Sequence, residues 1–239
     1  MITRLLYPAF VLAAVALSVA CGDALACAAA GGGALALRFV RARGWRSPRP
    51  GGKGLALANL VTTARLLVVV SLPLLFATLP RAALAGVVVL VLVVDGVDGY
   101  LARSRGEVSA FGAEYDMETD ALCVMVLSLL LLQSGVGPWV LVAGLWRYVF
   151  AAAVVVAPAL GDCPPSPIYR WIFTTLMLAF AVALLPLGRL APAAAALGTV
   201  LVSFSFVHSI VRSRAFAGRL GGVTSAARPG GTPSSTDRT

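Results

Sequence analysis

Charge is what this chain has least of. Asp, Glu, Lys and Arg make up 12% of its 239 residues, against 59% hydrophobic residues, whereas an ordinary soluble domain carries about 25% charged residues. Such a chain cannot coat a water-facing surface, which excludes a soluble globular enzyme and a disordered protein. Cysteine is equally sparse. Cys21, Cys27, Cys123 and Cys163 are scattered, with neither the paired spacing of a metal site nor the density of a secreted disulfide scaffold. Histidine occurs once, at His208 near the end of an apolar run, and reads as an interfacial residue. The net charge of +9 does not point to nucleic acid, because no basic stripe is interleaved with aromatics on a polar face.

What the chain has in abundance is apolar runs of spanning length. About 20 apolar residues cross a bilayer as a helix, and six runs approach that length: Leu60–Leu79, Ala82–Tyr100, Phe111–Gln133, Pro138–Ala157, Trp171–Leu187 and Leu190–His208. The fold expected is all-α, a polytopic membrane helical bundle of six core helices plus an N-terminal hydrophobic segment. Residues 1–37 form that segment: Leu5–Ala20 behind Arg4 has the form of a cleaved signal peptide's apolar core, but a retained extra span or hairpin is favoured because Ala24–Leu37 stays apolar after it. Residues 38–54 are a basic cytoplasmic segment, 55–215 the core domain, and 216–239, rich in Gly, Ser, Thr and Pro, a disordered tail. Basic residues set the orientation. Fourteen, from Arg38 to Arg238, fall on the side of the 38–54 segment, and only Arg81 and Arg189 on the other. That bias places the former side in the cytoplasm, as expected of a multi-pass inner-membrane protein.

The acids are concentrated. Of ten Asp and Glu, seven (Asp95, Asp98, Glu107, Glu114, Asp116, Glu118 and Asp120) fall within 26 residues at the ends of the second and third runs. Carboxylates at a membrane border are costly and mark functional sites. Asp95, Asp98, Gly99 and Ala102 share one helical face, and Gly112, Asp116 and Asp120 repeat at i, i+4, i+8 on another. Two antiparallel helices joined by a short loop bring the four Asp together. Bare, they would repel; one or two divalent cations resolve the conflict. An all-oxygen donor set favours Mg2+ or Mn2+ over zinc. The interleaved small residues leave room for a flat or phosphorylated ligand beside the backbone. Glu114 and Glu118 fall off the aspartate face, which suggests supporting or solvent-facing roles.

Written out, Asp95-x2-Asp98-Gly99-x2-Ala102-Arg103, eight residues, Gly112-x3-Asp116-x3-Asp120 resembles the signature of the CDP-alcohol phosphotransferase family, with every position filled. Asn59-x2-Thr62-x2-Arg65, opening the first core run, extends the resemblance to about residues 55–212. It implies an integral-membrane phospholipid-synthesis enzyme that moves a phosphatidyl group from CDP-diacylglycerol to an acceptor alcohol and releases CMP. Family members are often homodimers. By similarity, Asp95, Asp98, Asp116 and Asp120 would hold two divalent ions, Mg2+ or Mn2+, and Asp120 would be the general base. Gly99, Ala102 and Gly112 would line the cytidine pocket, Arg103 would meet the diphosphate, and Asn59 and Thr62 would support the nucleotide.

Three further cations are candidates for binding the acceptor. Arg147 sits mid-run, where a charge requires a partner or a wet cavity. Its alternative is an internal ion pair with a motif Asp. Arg170 and Arg65 are the others, with interfacial snorkelling as the alternative. Two subfamily patterns are not met: Asp116-Met-Glu-Thr-Asp120-Ala lacks the Pro and Lys usual in phosphatidylglycerophosphate synthases, and Arg65 stands where phosphatidylserine synthases have Asn. Glycerol 3-phosphate is the acceptor favoured, because Arg147 and Arg170 suit an anion. Intramembrane carboxylates also mark ion pathways. A divalent-cation transporter would spread them through the membrane depth, however, and an inactive scaffold would have lost some.

Overall fold

A computed structural model describes residues 2–40, 56–157 and 168–226. It is all-helical, with no strand among the described residues. Eight helices follow in chain order: α1 (Ile2–Cys21), α2 (Leu25–Val40), α3 (Leu57–Thr78), α4 (Arg81–Ser104), α5 (Ala110–Gln133), α6 (Leu141–Val156), α7 (Ile168–Ala183) and α8 (Leu190–Ala226). Helices α3 to α8 coincide with the six expected runs. The segment 41–55, most of the basic segment, and the loop 158–167 lie outside the described residues, as do 227–239. Helix α8 continues to Ala226, past Phe216, from which a disordered tail is expected. Ala215, Ala217, Arg219 and Leu220 are good helix formers, and they prolong the helix before the Gly- and Pro-rich remainder.

Among the described residues, four helical segments are by themselves long and apolar enough to cross a membrane: Leu57–Thr78, Arg81–Ser104, Pro138–Val155 and Leu190–Arg212. Their outward faces carry Leu67, Leu90, Val93, Val200 and Phe204, all exposed, as lipid-facing side chains would be. The other two core helices differ for local reasons. Helix α7 is 16 residues long, short of the usual span. Helix α5 carries its acids in its first half, and from Ala121 to Leu131 every side chain is buried. A helix that is apolar and buried all round lies inside a bundle. Accordingly α5 touches α2, α3, α6 and α7.

The N-terminal segment folds back as a hairpin. Gly22 turns the chain at φ +68, and the Asp23 Oδ1 accepts the Leu25 N–H at 2.8 Å, capping α2. The hairpin packs against α3, α5 and α6. Gly31 and Gly32 face Leu122 and Val70 so closely that an added Cβ would collide with both. Small residues let helices approach in this way where no water drives them together.

Helix α3 opens without a local cap: Ala56 offers no side-chain acceptor. The cap arrives from the α4–α5 loop. Buried Glu107 accepts the Leu57 N–H at 2.9 Å and the Ala58 N–H at 3.4 Å through Oε2, satisfying orphan donors and placing a negative charge at the positive end of the helix dipole. Gly106, at φ +61, makes the turn that delivers Glu107. On α5, the Ser109 hydroxyl accepts the Gly112 N–H at 3.0 Å, an ordinary N-cap.

Three consequences can be measured as thermal unfolding of the purified protein. Replacing Glu107 by Ala removes a charged cap from buried donors and is expected to cost about 1–2 kcal/mol. At Gly144 a Cβ would stand 2.8 Å from the Met125 Cα, where α6 crosses α5. Gly144→Ala is expected to lose about 1–3 kcal/mol by overpacking. At Gly86 an added Cβ meets nothing within 4 Å, so Gly86→Ala should be neutral or slightly stabilising.

Candidate active site

The start of α3, the end of α4 and the start of α5 converge on one acidic cluster. Asp95 comes from α4, and Asp116 and Asp120 from successive turns of α5. One carboxylate oxygen of each lies within 4.8 Å of the others. All three are half-buried, so the cluster keeps an open side. Asp98 stands one turn along α4 from Asp95; its side chain lies outside the described residues. Three oxygen donors this close suit a hard divalent ion, in keeping with the donor set read from the sequence.

A cation already stands among them. Arg65, on α3 and only 2% exposed, donates from Nη1 to the Asp95 Oδ1 and from Nη2 to the Oδ1 atoms of both Asp116 and Asp120, the last at 2.9 Å. Arg65 is therefore buried rather than snorkelling, and it ties α3 to α4 and α5.

The residues expected around a CDP donor gather at the same end. Asn59, buried on α3, brings its Oδ1 to 3.0 Å from the position a Cβ on Gly112 would occupy. Gly112 is thus the close-approach point between α3 and α5. Thr62 is buried on the next turn and donates to the Ala58 carbonyl at 3.1 Å. Gly99 and Ala102 lie on the last turns of α4, where the exposed Arg103 folds back over Gly99, its Nη1 3.4 Å from a would-be Cβ.

Beside the cluster, α5, α6, α7 and α8 enclose a cavity of about 370 Å3. Its walls are apolar, with Phe150, Phe173, Leu176 and Phe206 prominent, and its polar groups are few: Asp120, Arg147, Tyr169, Ser205 and Ser209. Arg147 is paired, but not with a motif Asp. Its Nη2 donates to the Glu118 Oε1 at 2.5 Å, and Glu118 is 4% exposed, so Glu118 faces α6 rather than solvent. The Arg147 Nε and the Tyr169 hydroxyl are buried without a hydrogen-bond partner. Arg170, one residue on, is exposed and absent from the cavity wall, though close enough to Asp116 for their charges to attract. His208 is exposed and stacks on Phe204 with ring centroids 6.1 Å apart, as an interfacial residue does.

Sequence reasoning missed three of these roles. Glu107 was one acid among seven, and the only clue to its role was the uncapped start of α3. Glu118 had no marked partner, although its offset from the aspartate face already aimed it at another helix. Tyr169 carried no signal at all.

A family model for CDP-alcohol phosphatidyltransferase matches residues 55–211. That range begins two residues before α3, ends within α8 and includes every residue of the cluster and the cavity wall. No curated protein and no solved structure matches the chain significantly. With the filled motif and the aspartates gathered at one end of an apolar bundle, that match makes the chain an integral-membrane member of the CDP-alcohol phosphatidyltransferase family, transferases of substituted phosphate groups that serve phospholipid synthesis.

Proposed function

We propose that the chain transfers the phosphatidyl group of CDP-diacylglycerol to glycerol 3-phosphate, with Asp120 as general base and release of CMP on the cytoplasmic face of the inner membrane. One observation carries the reading: Asp120 belongs both to the aspartate cluster and to the cavity wall. It stands where a donor held at the cluster would meet an acceptor held in the cavity. A proton acceptor must lie within hydrogen-bond reach of the hydroxyl it activates, and of the three clustered aspartates only Asp120 lines the cavity.

Asp95, Asp98, Asp116 and Asp120 would hold two divalent ions, Mg2+ or Mn2+. When bound, these neutralise the diphosphate and the charge that grows on the leaving CMP. The protein supplies the rest. Asn59, Thr62, Gly99, Ala102 and Gly112 shape the donor pocket at the ends of α3, α4 and α5, and Arg103 reaches over it. The acceptor lies in the cavity with its phosphate toward Arg147 and Tyr169, whose unpartnered Nε–H and O–H are donors awaiting oxygen. Arg170 adds positive charge at the outer edge. Asp120 accepts the hydroxyl proton, the freed oxygen bonds to the phosphatidyl phosphorus, and the bond from that phosphorus to the CMP oxygen breaks. The apolar walls limit water, which would otherwise compete as acceptor. The strong bias of basic residues to the site's side supports a cytoplasmic opening.

Purified protein with CDP-diacylglycerol and Mn2+ or Mg2+ is expected to release CMP with glycerol 3-phosphate and not with inositol, inositol 1-phosphate, serine or phosphatidylglycerol. Asp120→Asn should lower turnover about 100-fold or more, as loss of a general base does, while CDP-diacylglycerol binding persists. CMP release with a different acceptor would overturn the choice of acceptor and leave the transfer reaction standing.

The cavity makes its own prediction. Replacing both members of the buried pair, Arg147→Met with Glu118→Gln, avoids stranding one charge. The double variant should fold, and its KM for glycerol 3-phosphate should rise about tenfold or more, the loss expected for a charged hydrogen bond. Its KM for the donor should stay unchanged. Steady-state kinetics varying each substrate in turn would check both.

A further inference from the structure

Glu107 stands where the end of α4 meets the start of α3, and it holds the two helices by different atoms. Its backbone N–H donates to the Ala102 carbonyl at 2.8 Å, and the Gly106 N–H donates to the Arg103 carbonyl at 3.3 Å. With Gly106 in the left-handed region, this pair of bonds closes α4 at residues of the motif. The side chain turns the other way. Its Oε2 accepts the Leu57 and Ala58 N–H groups, which have no acceptor on Ala56. Ala56, Ala58 and Asn59 are buried, so water is a poor substitute for the carboxylate there. The donor side of α3 hangs on that first turn. The Ala58 carbonyl accepts the Thr62 hydroxyl at 3.1 Å, and the Asn59 carbonyl accepts the Thr63 hydroxyl at 2.7 Å. Asn59, third residue of the helix, brings its Oδ1 against Gly112 on α5. Uncapped helix ends fray, and fraying here would carry Asn59 away from Gly112.

We propose that Glu107 is a positioning residue for the CDP-linked donor. It touches no reacting atom. By fastening the first turn of α3 to the end of α4, it sets the gap between Asn59 and Thr62 on one side and Gly99 and Ala102 on the other, the space that holds the nucleotide. Reach is what the role requires. A side chain shorter by one carbon–carbon bond draws back about 1.5 Å and loses the two N–H groups, even with its charge intact. The proposal rests on the reading of these residues as the donor pocket.

A cap that only stabilises α3 shifts the unfolding temperature and leaves donor affinity of the folded protein untouched; a positioning residue changes both. The full chain in detergent, with Mg2+ and well below its unfolding temperature, is titrated calorimetrically with dioctanoyl CDP-diacylglycerol. Glu107→Ala is expected to weaken binding about tenfold, the loss that follows when a hydrogen bond to a charged ligand goes slack. Glu107→Asp keeps the charge without the reach and should weaken binding by a similar factor. Glu107→Gln keeps the reach and one acceptor oxygen, and should stay within about threefold of the unaltered chain, the charge it loses at the helix end being worth less than that. The KM for glycerol 3-phosphate, measured at saturating donor, should not move in any of the three. Unchanged donor binding by folded Glu107→Ala, or by Glu107→Asp should the Ala variant not fold, overturns the positioning role. Equal weakening by Glu107→Gln overturns it too, because charge and not reach would then govern the pocket. If even the unaltered chain binds no CDP-diacylglycerol, the donor-pocket reading falls and takes the proposal with it.

Discussion

Carboxylates crowded at a membrane border repel one another, and here three of them have oxygens within 4.8 Å. Helix α5 contributes two and α4 the third, and among the described residues neither helix supplies a cation bonded to them. The offset comes from α3, whose Arg65 is carried inward to all three. That one cation requires α3 to lie against both α4 and α5, and the neighbouring contacts follow. Glu107 pins the start of α3 from the loop between the other two helices. Gly112 yields space to Asn59. The Tyr115 hydroxyl donates to Thr63 at 3.2 Å, one residue before Asp116. The site is thus the place where three helix ends are fastened, rather than a pocket added to a finished bundle.

Helix α5 serves two charge systems on different faces. Asp116 and Asp120 turn toward α3 and α4; Glu118, midway between them, turns toward α6 and takes Arg147. From Ala121 to Leu131 the same helix is buried throughout, which fixes it at the centre of the bundle. A charged end on a buried helix places both the cluster and the cavity at one membrane face, with Asp120 between them. The hairpin of α1 and α2, outside the family's matched range, reinforces this end: Arg38 pairs with Glu114 at 2.5 Å, and Phe39 packs edge-on against Phe111 and tilted against Tyr115.

Much of this was legible in the sequence because helices write their periodicity into it. Apolar run length marked α3 to α7 and the start of α8 within a few residues, though not the end of α8 at Ala226, and the i, i+4, i+8 spacing placed Asp116 and Asp120 on one face. The motif supplied the family, and mutual repulsion among its aspartates supplied the need for a cation. Arg65, Glu107 and Glu118 were visible as charges but not as partners. Arg65 reaches carboxylates 30, 51 and 55 positions away, and Glu107 caps a helix 50 residues earlier. Periodicity within one helix carries no record of which neighbour its face will meet.

By itself, then, the sequence determined the number of core helices, the membrane setting, the family and the shared face of Asp116 and Asp120. All of these depend on local spacing and on the cost of putting charge in a bilayer. The tertiary structure alone decided which cation meets which carboxylate. It sent Arg65 to the aspartates and Arg147 to Glu118, and left Arg170 at the rim. The physical reason is that a buried charge must find its opposite within hydrogen-bond reach. The order in which helices pack sets which opposite that is, and that order is a property of the whole bundle.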